Sequence, residues 1–194
     1  MTVTEKKPVV VPPITSDSPW SIQDAQRLYG LDQWGRGYFS VNRQGHLAVH
    51  PTHDPQVSID LKDLVEQLRQ RDLQPPLLIR FTDILRHRVT ELARTFETAI
   101  REMDYNGGYR CVYPIKVNQQ RHVVEEILAF GKEHGFGLEA GSKPELLAVL
   151  ALVEDETTPI ICNGFKDEQF IESVILATKL GKNIIRGREF SEQI

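Results

Sequence analysis

From residue 77 onward the sequence alternates between short apolar runs and longer runs at helical spacing. "LLIRF" predicts a strand at 77–81, and a helix follows from about Asp83 to Met103. "NGG" then turns the chain into "YRCVYPIK", a second predicted strand, and a helix runs from about Gln119 to Phe130. "FGLE", "PIICN" and "NII" predict further strands, with "SKPELLAVLAL" and "DEQFIESVILATKLG" as the helices between them. Strands therefore start near 77, 109, 136, 160 and 183, the later ones roughly 25 residues apart with one helix in each interval. Parallel strands need crossovers of that size, so this order specifies an α/β fold with a parallel sheet. The sheet is either open and doubly wound or part of an eight-fold barrel. A complete barrel takes roughly 250 residues, so if the sheet belongs to a barrel, the four βα units and fifth strand start within 77–194 amount to the N-terminal half of a (β/α)8 TIM-type barrel.

The first 75 residues follow another rule. Residues 1–19 hold four prolines and little periodicity, which predicts a disordered lead-in. "WSIQDAQRLYGL" predicts a short helix, "GYFSVNRQGHLAVHP" a hairpin turning at "NRQG", and "DLKDLVEQLRQRD" a helix capped by Asp60. "LQPP" breaks the pattern. The expected division is thus 1–19 as lead-in, 20–75 as a helix–hairpin–helix segment, and 76–194 as the α/β part.

Bulk properties exclude several functions. With a net charge of -4, the chain carries no nucleic-acid-binding field, and clusters such as "RQRD" and "RHR" read as solvated helix faces. No run approaches the length of a membrane helix, and Pro12 and Pro13 break the only N-terminal apolar run, so neither a membrane span nor a signal peptide is expected. Cys111 and Cys162 are too few for a disulfide framework, which fits a reducing, cytoplasmic compartment.

Ligands of α/β folds bind outside the carboxyl ends of the strands, and the unusual residues fall there. Lys116 ends the second predicted strand. A lysine at a strand end usually snorkels to water. It could also be a nucleophilic amine, since apolar neighbours such as Ile115 and Val117 would desolvate the cation. Glu139 ends the next strand, before "AGSKPE". Ser142 and Glu145 there fit a capping box, and Gly141 fits a tight turn. Glu139 has no such local role and can face the same cavity as Lys116. In "CNGFKD", Asn163 and Gly164 make a bend, Asp167 caps a helix, and Cys162 reads as a small buried hydrophobe. His46, His50, His53 and Asp54 match no metal-ligand spacing, and no phosphate-binding glycine motif occurs.

Together "VYPIKVNQ", "GLEAGSKPEL" and "ICNGFKD" resemble the biosynthetic arginine decarboxylases, of the alanine racemase-like (fold type III) class of pyridoxal-phosphate enzymes. The resemblance extends over about residues 20 to 185. It implies a barrel plus a β-rich domain, which the 36–50 hairpin would join. It implies that Lys116 binds pyridoxal phosphate covalently, that Glu139 lies beside the cofactor, and that the reaction converts L-arginine to agmatine and carbon dioxide for polyamine synthesis. It also implies magnesium, for which no residue here is a candidate ligand, and a homo-oligomer in the full-length family.

The sequence departs from that pattern in length. Later strands, glycine-rich phosphate loops, the acidic partner of the pyridine nitrogen and the C-terminal β domain are not found in it. "RGREFSEQI" also puts charge and glycine where an apolar barrel strand is expected. The expectation is a truncated or frameshifted gene product, inactive alone. A non-catalytic pyridoxal-phosphate-binding protein and a decayed remnant are the alternatives.

Overall fold

The computed structural model describes residues 19–186, so all of the 1–19 lead-in but Pro19 and the "GREFSEQI" end lie outside the described residues. Backbone contacts divide the chain into two units, one ending at Ile84 and the other starting at Leu85.

The first unit begins with helices α1 (Ile22–Leu28) and α2 (Leu31–Trp34). Ser21 caps α1, accepting from the Asp24 N–H while the Asp24 carboxylate accepts from the Ser21 N–H. The predicted hairpin forms as β1 (Phe39–Val41) and β2 (Leu47–Val49), paired antiparallel with Phe39 opposite Val49. Asn42 makes its turn, its side-chain oxygen accepting from the Gln44 and His46 N–H groups. A two-residue strand, β3 (Ile59–Asp60), adds to β2 and was not visible in the sequence, being too short to show alternation. Asp60 then caps α3 (Leu61–Arg69) by accepting from the Lys62 and Asp63 N–H groups, as its position predicted.

"LLIRF" is not a strand. Residues 77–81 run as irregular chain, and Leu78 is 75% exposed. A strand exists only through its ladder, and these apolar residues follow two prolines without acquiring a pairing partner among the described residues. The helix after them does form, as α4 (Thr82–Glu102).

In the second unit, four parallel strands lie in the order β4 (Val112–Pro114), β5 (Gly137–Ala140), β6 (Ile160–Cys162) and β7 (Ile184–Arg186). Helices α5 (Arg121–Gly131), α6 (Lys143–Leu152) and α7 (Glu168–Lys179) make the crossovers. The strands are short: β5 and β6 each bury two side chains, and β4 and β7 pack Tyr113 and Ile184 against them. Leu138, Ala140, Ile160 and Cys162 face the helices, where they bury against Leu146, Val149, Phe170 and Val174. A second cluster joins α4 to α5 through Val89, Ala93, Val123, Ile127 and Phe136. Arg186 belongs to β7, opposite Cys162, so its charge does not keep that position out of the sheet, while Gly187 and Arg188 lie outside the described residues.

Strand periodicity decides the other face. Pro114, Glu139, Ile161 and Ile185 stand in register across the four strands, out of phase with the buried row. This row is only partly covered, and Ile185 is exposed. One carboxylate, Glu139, sits in it.

Candidate functional site

The site begins where β4 stops. Pro114 closes the strand, and Ile115–Val117 form one 3-10 turn. Lys116 is therefore just past the strand end rather than in it. Three residues per turn point the side chains in three directions. Ile115 points into the core and is buried, whereas Lys116 and Val117 stand out into water, with the lysine side chain 63% exposed. Of the two readings of this lysine, the exposure agrees with a side chain that snorkels to water, and the amine is not desolvated by both neighbours. Tyr113 holds the far side of the turn, its hydroxyl donating to the Asn118 carbonyl at 3.3 Å. Asn118 in turn accepts from the Gln120 N–H, leading the chain into α5.

Glu139 approaches from β5. Its neighbours Leu138 and Ala140 are fully buried on the helix side, so alternation sends the carboxylate to the opposite face. Its side chain is 16% exposed, and Oε1 lies 3.9 Å from Lys116 Nζ. That separation is an ion pair without a direct hydrogen bond. With one partner largely in water, the attraction contributes about 0–1 kcal/mol. Its value is directional: it turns a long flexible side chain toward the strand ends.

Two loops complete this rim. After β5, Ser142 Oγ caps α6 by accepting from the Glu145 N–H at 3.5 Å, as expected. The reciprocal half of the capping box differs: Glu145 Oε2 accepts from the Gly141 N–H at 2.7 Å, one residue before the cap. After β6, Gly164 takes φ +80°, and the Asn163 N–H donates to the Ala140 carbonyl at 2.9 Å. Asp167 caps α7 through the Phe170 N–H. Phe165, in this loop, is 87% exposed. Nothing in its sequence context singles it out. Cys162 is buried in the core, away from nucleophilic work.

The histidines of the first unit have local partners. His46 Nδ1 lies 2.8 Å from Asp60 Oδ2, His50 bonds Ser40 Oγ and the Val57 carbonyl, and His53 bonds the Arg36 carbonyl. His46, Asp60 and Asp63 come close enough to share a cation. Asp60 is already committed: besides His46 it accepts from Asn42 and from two backbone N–H groups of α3. Burial pushes its carboxyl up, but these hydrogen bonds outweigh that and bring it down to about 2.

A groove of about 410 Å³ opens at the other ends of the strands, lined in part by Arg110, Lys132, Asp155 and Pro159. It contains neither Lys116 nor Glu139. Chemistry in parallel α/β folds gathers at the carboxyl ends, where the Lys116 rim lies.

This arrangement, a lysine amine on a rim with one facing carboxylate, can be compared with known proteins. The pyridoxal-dependent decarboxylase family, through its pyridoxal binding domain, matches residues 87–184. The chain belongs to the pyridoxal-dependent decarboxylase family. It is 53% identical over 169 residues to the biosynthetic arginine decarboxylase of Rhodopirellula baltica, covering 87% of this chain and 25% of that one. It is 49% identical over 186 residues to the biosynthetic arginine decarboxylase of Synechococcus sp. strain RCC307, covering 96% and 29%. The crystal structure of the biosynthetic arginine decarboxylase from Campylobacter jejuni superposes with a TM-score of 0.72 at 36% identity, over 81% of this chain and 26% of that one. The chain thus spans about a quarter of the length of the relatives it matches. Within the family domain, the parallel βα units are part of the pyridoxal-binding barrel, one of the two architectures that the alternation left open and the one that the resemblance implied. No described helix is long and apolar enough to cross a membrane.

Proposed function

We propose that this chain carries the lysine-bearing rim of a pyridoxal-phosphate-dependent arginine decarboxylase, with L-arginine as substrate and agmatine and carbon dioxide as products. Lys116 is the residue that attaches the cofactor, and Glu139 lies beside it. The observation that supports this most is the 3.9 Å approach of Glu139 to Lys116 at the carboxyl ends of adjacent parallel strands. The donor set fits the cofactor: an exposed primary amine can reach a ring aldehyde, and the partly covered sheet face beside it can take a flat ring. When bound, pyridoxal phosphate supplies the electron sink that decarboxylation needs.

The chain's own residues have simpler tasks. Lys116 Nζ would hold the cofactor covalently. Glu139 draws Nζ over the strand ends and offers an acceptor for the proton that the amine gives up. The Tyr113–Asn118 bond keeps the 3-10 turn closed under the lysine. Residues 20–75 are read as the segment belonging with a β-rich domain and 76–194 as the barrel part. Magnesium and a homo-oligomer belong to this reading through family resemblance, without assigned residues. Because the chain spans about a quarter of its relatives' length, these 194 residues alone are expected not to release agmatine. Agmatine formation by the purified chain would contradict that expectation.

The test is a titration of pyridoxal phosphate followed by absorbance, on the wild type, Lys116→Arg and Lys143→Arg. The spectral change should disappear only with Lys116→Arg. An undiminished change in that variant would refute the assignment.

A further inference from the structure

The proposed site leaves one rim carboxylate without a role. Glu145 lies on the first turn of α6, and a capping-box glutamate ordinarily returns to the N–H of the cap residue itself. Here it reaches one residue further back, to the Gly141 N–H at 2.7 Å. A carboxylate on a backbone N–H at this length is a charge-assisted hydrogen bond, stronger than a neutral one.

The consequence lies in the peptide unit that this bond holds. The Ala140–Gly141 peptide has one donor, the Gly141 N–H, and one acceptor, the Ala140 carbonyl. Glu145 takes the first, and the Asn163 N–H takes the second at 2.9 Å. Gly164 packs against the peptide that follows, its backbone so near that an added Cβ would sit 2.5 Å from the Gly141 oxygen. The unit is thus fixed on both sides and against the next loop. Glu139 is the residue just before Ala140, and its separation from Lys116 depends on where β5 ends.

Resting on the reading of Lys116 and Glu139 above, we propose that Glu145 is a positioning residue: by clamping the Ala140–Gly141 peptide it sets where the Glu139 carboxylate meets Lys116. Glu145 acts through reach, not through its own charge on the lysine.

Three variants separate reach from charge. Glu145→Gln keeps the length and an acceptor oxygen but loses the charge. Glu145→Asp keeps the charge but is one methylene too short. Glu145→Ala loses both. The readout is the pH profile of pyridoxal phosphate fixed on Lys116 by borohydride, measured by peptide mass relative to Lys143 in the same chain. Glu139→Gln provides the direction. Glu145→Asp and Glu145→Ala should displace the profile in that same direction by a smaller amount, and Glu145→Gln, which keeps a weaker neutral bond of full reach, should displace it least. A displaced Glu145→Gln with an undisplaced Glu145→Asp would show action by charge and overturn the proposal. Unchanged profiles in all Glu145 variants, whatever their melting temperatures, would reduce Glu145 to a helix cap and also overturn it. If Glu145→Ala does not fold, the Gln and Asp pair still decides. If the wild type takes no label on Lys116, the cofactor reading fails by itself. The positioning role is then judged by the same comparison of pH profiles for acetylation of Lys116, which needs no cofactor.

Discussion

Replacing Gly164 by alanine tests the rim's construction directly. Gly164 sits at φ +80°, where a Cβ crowds its own backbone, at about 1 kcal/mol or somewhat more for an L-residue. The new Cβ would also stand 2.5 Å from the Gly141 oxygen and 3.1 Å from its Cα and carbonyl carbon. The Cα borders the pinned Ala140–Gly141 peptide, and the oxygen and carbonyl carbon are backbone of the peptide that follows it, so they move only by turning the chain beside the Asn163 and Glu145 hydrogen bonds. Overpacking of that kind adds about 1–3 kcal/mol. Gly181 is the matched control, in the same unit at φ +84°, where the Cβ would meet only the movable end of the Glu156 side chain at 3.2 Å. Gly181→Ala should therefore lose about 1 kcal/mol and Gly164→Ala about 2–4 kcal/mol. Urea unfolding followed by circular dichroism measures both. A Gly164→Ala loss equal to or below that of Gly181→Ala would refute the backbone-on-backbone contact.

Other consequences follow from the same packing. Phe170, almost wholly buried among Leu146, Val149 and the β5–β6 side chains, should lose about 3–5 kcal/mol as alanine in urea unfolding; a loss near zero would contradict the core assignment. The Lys182 ammonium donates to the carbonyls of Val153 and Glu154 at 2.9 Å and more loosely to Asp155, so Lys182→Met should destabilise the second unit by about 1–3 kcal/mol. In the first unit, the Asp60 carboxyl is lowered to about 2 on folding, so the unfolded chain binds more protons in mild acid. Stability from this group is complete above the ordinary aspartate value of about 4 and is lost as pH falls toward 2. Amide exchange at Lys62 and Asp63 should speed up across that window, and Asp60→Asn should flatten the dependence; an unchanged slope would rule out Asp60 as the source.

Periodicity made the second unit legible. Its crossover helices are long enough for several apolar repeats, and Ser142, Asp60 and Asp167 all cap helices where the sequence places them. "LLIRF" misled because its composition is strand-like, while pairing is a property of neighbours that a local run does not contain. β3 went unseen for the converse reason, since Ile59–Asp60 pairs with β2 without any alternation of its own. At the proposed site, the place of Lys116 after an apolar strand is legible in the sequence, and its exposure agrees with a lysine that snorkels to water rather than with an amine desolvated by its neighbours. A 3-10 turn separates the directions of Ile115, Lys116 and Val117, and three apolar-flanked letters do not reveal that turn. Glu145 was read as an ordinary cap because S-x-x-E fixes which residue returns to the helix start but not which N–H it meets.

The central claim is that Lys116, and no other lysine of the chain, takes the cofactor. Borohydride reduction of the chain with pyridoxal phosphate, followed by proteolysis and mass spectrometry, reads the attachment point directly. The account predicts one dominant adduct, on the peptide containing "YPIKVN", that is absent from Lys116→Arg. An adduct spread evenly over the lysines, or concentrated on Lys143 or Lys166 of the same rim, would contradict it.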